Sequence, residues 1–318
     1  MRVLVTGGSG YIGSHICRLL AERGDAPAIV DDFLLGLPHR IDGMPHLELD
    51  LAAPGAAAAL AELMRAEGVE AVIHLAARKQ VAESVARPLW YLQQNLGGLT
   101  AVLEAMVATG VRDLVFSSSA AVYGDADGVV TESAPTVPVN PYGESKLAGE
   151  WLAADVARAE GLRVTSLRYF NVAGVGWPDL ADTAVLNLVP MVLERIDAGE
   201  SPQIFGDDYA TPDGTCVRDF VHVRDLAEAH LAVLDALPTQ PEPHRVYNVG
   251  TGVGASVRDV IEGIRHRLGN APPTVMRPRR PGDPAAVVAD VSLIAHELGW
   301  RARHDLDDIL DSVVSSRA

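Results

Sequence analysis

From Arg2 to Tyr169 short apolar runs alternate with longer helical stretches, and this alternation limits the fold more than any other feature of the chain. The apolar runs are RVLVT, APAIVD, HLEL, EAVIHLA, DLVFSS and RVTSLRY. Between them lie a helix from Tyr11, an alanine-rich helix from Gly55, a helix through Leu89 to Ala108 and a helix after Pro141. Parallel strands need a crossover long enough to hold a helix, so the repetition predicts a parallel sheet covered on both faces. The expected fold class is α/β. A doubly wound parallel Rossmann sheet occupies residues 1–170 and a smaller mixed α/β lobe residues 171–318. Past Asn171, breaks at Gly174, Pro178, Pro190, Pro202 and Pro212 shorten the helices. VYNVG, near 245–250, reads as a strand returning to the main sheet.

The first strand runs straight into Gly7, Gly10 and Gly13, a G-x-x-G-x-x-G turn that opens the first helix. A helix N-terminus offers unbonded N–H groups and partial positive charge, and glycines let a pyrophosphate approach the backbone. The second strand ends in Asp31 and Asp32, about 20 residues on, where an acid can accept hydrogen bonds from an adenosine ribose. A 2'-phosphate would be repelled there, which favours NAD over NADP. The plainer alternatives are a merely tight turn and a loop-capping Asp31; the two signals in sequence favour the dinucleotide.

With 318 residues, 48% of them hydrophobic, the chain can build a large core. Its formal net charge of -16 repels polyanions, so nucleic acid is not an expected partner. No apolar run is long enough to predict a membrane span. Cys17 and Cys216 make neither a disulfide framework nor a CxxC site, and buried thiols in a reducing cytoplasm are the expectation. The first strand leaves no room for a signal segment ahead of it. Nor does any His, Cys or carboxylate spacing suggest a metal.

The catalytic candidates are Ser119, in FSSSAAVYG, and Tyr142 and Lys146, in NPYGESK. Tyr142 and Lys146 are four residues apart on one helix and so share a face. Bringing a phenol from a pKa of about 10 to about 7 takes roughly 4 kcal/mol of preference for the phenolate. A lysine ammonium and a positive nicotinamide ring are suited to supply it. Tyr142 would then take a hydroxyl proton while the adjacent carbon gives hydride to NAD+. Ser119, at a strand's C-terminal end, is placed to hydrogen-bond the same oxygen. An exposed Tyr–Lys pair on an ordinary helix is the bland alternative.

TGGSGYIGSH, FSSSAAVYG, PYGESK, LRYFNVAG, IFGDDY, DGTCVRDFVHVRDLAEAH and RPRRPGD, in this order over nearly the whole chain, resemble the UDP-glucose 4-epimerase family of extended short-chain dehydrogenases/reductases. The resemblance implies a tightly held NAD, a 4-keto UDP-sugar intermediate that turns over in the site, and hydride return to its opposite face. It implies Tyr142 as base, Lys146 as the residue that lowers its pKa and holds the nicotinamide ribose, and Ser119 as hydroxyl partner. Cofactor positions carried over are Gly7, Gly10, Tyr11, Ile12 and Asp31. Asp50, Leu51, Ala76, Lys79, Asn95 and Ser117 follow from the same motifs. Positions carried over for the UDP moiety are Asn171, Asn187, Leu188, Gln203 and Phe205, with Arg218, Arg280 and Asp283. Arginine suits a diphosphate, because its planar fork meets oxygens in pairs. A homodimer paired through the helices 89–108 and 142–159 is also implied.

The chain departs from that pattern at three places. Phe220 stands where a tyrosine is usual. Val287 falls where some relatives carry a tyrosine wall beside the sugar C2 substituent, so UDP-GlcNAc and UDP-GalNAc are expected to fit as well as UDP-Glc and UDP-Gal. Arg78, near the cofactor, has no account at this level. His74 and His222 read as structural. A 4,6-dehydratase would need an Asp-Glu pair where Ala120 and Ala121 stand. A decarboxylase or 4-epimerase acting on a UDP-sugar acid stays open, and so does a non-catalytic NAD-binding protein on this fold.

Overall fold

The computed structural model describes residues 1–280 and 283–317, so Pro281 and Gly282 of the RPRRPGD motif lie outside the described residues. The chain forms two compact units. The first comprises Met1–Gly124, Pro135–Tyr169 and Ala227–Tyr247; the second comprises Asp125–Ala134, Phe170–Leu226 and the chain from Asn248 onward.

In chain order the elements begin with β1 (Arg2–Thr6), α1 (Tyr11–Glu22), β2 (Ala26–Asp31), β3 (His46–Glu48), α2 (Ala56–Glu67) and β4 (Ala71–His74). Then come α3 (Val81–Ala86), α4 (Pro88–Thr109), β5 (Asp113–Ser117), β6 (Gly128–Val130), α5 (Pro141–Glu160) and β7 (Arg163–Tyr169). They continue with β8 (Asn171–Ala173), α6 (Leu188–Asp197), β9 (Gln203–Phe205), β10 (Val217–His222), α7 (Val223–Ala236) and β11 (His244–Val249). The last are β12 (Gly254–Ser256), α8 (Val257–Leu268), β13 (Val275–Arg277), β14 (Ala286–Ala289), α9 (Ser292–Leu298) and α10 (Leu306–Ser315).

The first unit is built on a seven-stranded sheet of order β11-β7-β5-β4-β1-β2-β3. The pairings from β7 through to β3 are parallel, as the alternation predicts. Strand order reverses between β1 and β4, and in open α/β sheets ligands bind beyond the carboxyl ends of the strands at such a switch point. The central strands are apolar on both sides because helices cover both faces: Val3, Leu4, Val5, Val72, Ile73, Leu114 and Val115 are all fully buried. One face packs against α2 and α4 through Leu60, Met64, Leu99, Val102 and Met106.

The second unit has a sheet of order β12-β10-β14-β6, with β8 also on β10, and a separate β9–β13 pair. Its apolar cluster gathers Phe220, Ile204, Val260, Ile261, Ile264, Ile309 and Leu310. Phe220 is 5% exposed within that cluster, so the missing tyrosine hydroxyl leaves an apolar surrounding intact.

Two segments cross a simple division at residue 170. β6 leaves the first unit because it pairs in parallel with β14, Val288 opposite Val129. The later turns of α7 belong to the first unit, where Asp235 binds the Arg23 guanidinium at 2.8 and 2.9 Å. β11 sits at the edge of the main sheet, as VYNVG predicts.

Candidate active site

The site in the first unit begins with how α5 is started. Asn140 caps it, its Oδ1 accepting the Gly143 N–H at 2.9 Å, and Pro141 takes the first helical position. The start is pressed against the 3-10 turn Ala120–Tyr123 that follows β5. A Cβ on Gly143 would stand 2.6 Å from the Ala121 carbonyl oxygen and 3.0 Å from Pro138 Cβ, so only glycine allows this approach. The same short turn carries Ser119 at its N-cap, where Oγ accepts the Ala121 N–H at 3.1 Å. The Ser119 hydroxyl acts on the Tyr142 phenol to lower its pKa, against a larger upward push from burial.

Lys146 lies one turn after Tyr142 and is 4% exposed. Its Nζ donates to the Ser117 carbonyl at 2.7 Å and stands 5.3 Å from the centre of the Phe116 ring. Burial lowers its pKa to about 7, and the Glu150 carboxylate, a further turn along α5, opposes that. The expectation that Lys146 lowers the Tyr142 pKa therefore meets a dry site in which both groups are pushed toward their neutral forms.

Glu150 was not among the sequence candidates. It is buried and takes a bidentate Arg168 guanidinium at 2.9 and 2.6 Å, together with the Ser118 hydroxyl. Arg168 also donates to the Tyr123 phenol at 3.0 Å. The network thus braces the serine strand end, α5 and β7 against one another. The i,i+4 run Tyr142, Lys146, Glu150 was the available signal, but its partner on β7 was not visible locally. Ser117 contributes its hydroxyl to a hydrogen bond with the Tyr169 phenol.

His74 is structural in its surroundings. Its Nδ1 is 2.7 Å from Thr6 Oγ1, its ring stacks on Phe116, and burial with the Lys146 charge nearby brings its pKa down to about 3.

At the switch point, Gly7 has φ +73° and donates its N–H to the Val30 carbonyl at 2.7 Å. A Cβ there would lie 2.9 Å from the Ala76 amide nitrogen, so the turn fits only glycine between its neighbours. Gly10 is the N-cap of α1, with no side-chain cap and no acid in the first turn. Tyr11, Ile12 and Gly13 form that first turn, whose N–H groups and positive end suit a pyrophosphate. Asp31 ends β2, buried, its carboxylate accepting the Ser9 and Phe33 N–H groups at 3.0 Å each. These features fit a dinucleotide: an anion site at the helix start with a fixed acid on the next strand.

The other expected cofactor positions border the same edge. Asp50 accepts the Ala52 N–H at 2.9 Å, and Leu51 is 8% exposed. The Ala76 N–H donates to Thr6 Oγ1 at 3.3 Å, and Lys79 is half-buried on the same loop. Asn95 spends its side chain on protein: Oδ1 accepts the Arg78 N–H at 2.8 Å, while Nδ2 donates to the Arg78 carbonyl at 3.0 Å and Ser145 Oγ at 2.9 Å.

The expected nucleotide residues fall in the second unit. Arg218 lies opposite Val287 across the β10–β14 pair. Its Nη1 donates to the Val217 and Pro284 carbonyls at 2.8 and 2.9 Å, and Nη2 is 3.6 Å from the Asp283 carboxylate. Arg280 is exposed and lies 3.9 Å over the Phe205 ring. Gln203 sits two residues before Phe205 on β9. Asn187, at the N-cap of α6 just before Leu188, donates from Nδ2 to Asp182 at 2.9 Å. Asn171, at the start of β8, is exposed.

Among the described residues no group of His, Cys, Asp and Glu is arranged to hold a metal ion. Nor, among the described residues, is any helix long and apolar enough to cross a membrane.

Residues 3–250 match the NAD dependent epimerase/dehydratase family. A UDP-glucose 4-epimerase of Azospirillum brasilense is 42% identical over 99% of this chain and 91% of its own length. A crystal structure of a UDP-glucose-4-epimerase from Stenotrophomonas maltophila, with bound NAD and formylated UDP-arabinopyranose, superposes with a TM-score of 0.94. It is 40% identical and covers 100% of this chain and 98% of its own. The Bifidobacterium longum UDP-glucose 4-epimerase, in complex with NAD+ and UDP, has a TM-score of 0.91 at 37% identity, covering 100% of this chain and 98% of its own.

Proposed function

The chain belongs to the NAD dependent epimerase/dehydratase family, and we propose that it epimerises UDP-hexoses reversibly at C4, UDP-Gal to UDP-Glc, through a 4-keto intermediate. The observation that carries this reading is the close packing of the α5 start, which bears Tyr142, on the turn that bears Ser119, with buried Lys146 one helical turn further on. Bound NAD+ supplies the hydride acceptor and later the donor, and its positive ring favours the phenolate.

Tyr142 takes the C4 hydroxyl proton and returns it after the ketone has turned over. Ser119 steadies that oxygen, since a donor aimed at a phenolate stabilises the charged form. Lys146, held by Ser117, orients the nicotinamide ribose. Lys146 is buried, while Ser119 and Tyr142 keep partial exposure through which a substrate can reach them. The first unit thus serves as the NAD-binding domain and the second as the UDP-sugar lobe, where Arg218 and Arg280 meet the diphosphate and Asn171, Asn187, Leu188, Gln203, Phe205 and Asp283 hold the rest of the nucleotide. Affinity concentrated on UDP leaves the hexose free to turn, which epimerisation requires.

The small Val287 side chain extends the reading to N-acetylated sugars. Val287→Tyr should cut turnover of UDP-GlcNAc far more than that of UDP-Glc; an equal fall removes the wall assignment. We also place the enzyme in the cytoplasm, where its two buried free thiols stay reduced. We assign a homodimer through α4 and α5, on which Leu89 and Trp151 are 83% and 61% exposed. A monomer mass in light scattering would overturn the dimer.

The deciding experiment is conversion of UDP-Gal to UDP-Glc by purified protein with no NAD+ added. Turnover is expected. A protein that carries dinucleotide yet converts no UDP-hexose would instead be the non-catalytic binder, and turnover confined to UDP-sugar acids would redirect the substrate class.

A further inference from the structure

We propose that Arg78 and Asp32 form a strap across the dinucleotide groove that sets how fast the cofactor leaves, an inference that rests on the NAD reading above. Asp32 directly follows β2, and Arg78 lies on the loop after β4. β2 and β4 are the two neighbours of β1, about 10 Å apart by strand spacing. An ion pair between them must cross the carboxyl edge of β1, where the glycine turn departs. Arg78 Nη2 makes that ion pair with Asp32.

Several neighbours hold the arginine in place. Its Nε and Nη2 donate to Gln94 Oε1 at 3.2 and 2.8 Å, and its guanidinium lies 5.4 Å from the Trp90 ring. Gln94 in turn donates to Asp50 at 3.3 and 3.4 Å. Both backbone polar groups of Arg78 are bound by Asn95. The Arg78 and Asp32 side chains are only 15% and 25% exposed, so the pair is partly shielded from solvent. Asp32, Asp50, Arg78 and Gln94 coincide with or adjoin four positions assigned to the cofactor, Asp31, Asp50, Lys79 and Asn95. The strap therefore crosses the carboxyl edge beside the positions assigned to the cofactor, and it opens when the dinucleotide passes. An enzyme whose redox change cancels within each turnover gains from such retention, because it has no need to exchange its cofactor.

The test follows release directly. Protein purified with its own NAD is mixed with isotopically labelled NAD+, and the exchange rate is measured. Arg78→Ala and Asp32→Asn should each exchange about tenfold faster, as loss of a partly shielded ion pair worth one decade requires. The double variant should be no faster than either single one, because the two side chains act as a unit. Raising ionic strength should speed exchange more in the wild type than in either variant. Where Arg78→Ala does not fold, Arg78→Lys serves, since it keeps a cation and loses the fork; it should exchange a few times faster. Wild-type exchange rates in the folded variants overturn the strap while leaving the NAD reading intact. Wild-type protein that neither carries nor takes up NAD+ defeats that reading itself.

Discussion

The two units surround the polar residues of their proposed sites differently. In the first, Lys146, Glu150, Arg168 and Ser118 are all buried and bonded to one another or to backbone. In the second, Arg280 and Asn171 are exposed, and Arg218 and Asp283 are half-buried in a pair 3.6 Å apart. The difference teaches how the two tasks divide. Moving a proton requires groups fixed in protonation and position, which dryness and cross-bracing provide. Gripping a charged ligand requires donors that water can reach first and the ligand can then desolvate.

The largest effect belongs to the phenol. Tyr142→Phe removes the proton acceptor and leaves the ring in place, so kcat should fall by about 10³–10⁴-fold while NAD content and thermal stability hold. Retained turnover would end the proposed chemistry. A smaller fall is expected from Gly143→Ala, in which the added methyl meets the Ala121 carbonyl at 2.6 Å and pushes α5 away from the turn bearing Ser119. A displacement of that kind costs about 10²-fold in kcat, with KM little changed. If kcat survives, the close packing of the two segments is not what positions Ser119.

Lys146 offers a pH test of the dry side. Its folded pKa is about 7 against an ordinary 10.5, a depressed value caused first by burial. Between those values the unfolded chain binds one proton more than the folded chain, so stability rises with pH, and the full penalty applies below about 7. In NAD-free protein, Lys146→Met should be more stable than wild type at pH 7, and the gap should close by about 1 kcal/mol per pH unit toward pH 9. Urea unfolding at several pH values measures it. Parallel stability curves would mean that the ammonium is well solvated after all.

Much of this was legible in the sequence, and the parts that were not share a cause. The α5 start was readable because Asn140, Pro141 and the i,i+4 spacing are local signals. The parallel sheet was readable because its strands are short, apolar and separated by helices. β6 was not, since three residues pair with a strand more than 150 positions later and no local pattern announces it. The same holds for Arg78, whose carboxylate partner lies 46 residues back in the chain. Burial was invisible too. From spacing alone Lys146 looked like a fixed ammonium, whereas its desolvation pulls it toward neutrality and changes what the pair with Tyr142 can do without a cofactor.

The open side should respond most mildly. Arg280 rests on the Phe205 ring and is exposed, so its removal leaves no buried partner without a bond. Arg280→Ala should raise KM for UDP-Gal about tenfold and leave kcat within about twofold, the pattern of a group that binds ground and transition states alike. Added salt should shrink the difference between variant and wild type, since screening weakens a solvent-reached cation more than a buried one. A fall in kcat equal to the loss in kcat/KM would instead place Arg280 among the groups that act only in the transition state. The contrast between a dry catalytic unit and an open gripping unit would then fail at that residue.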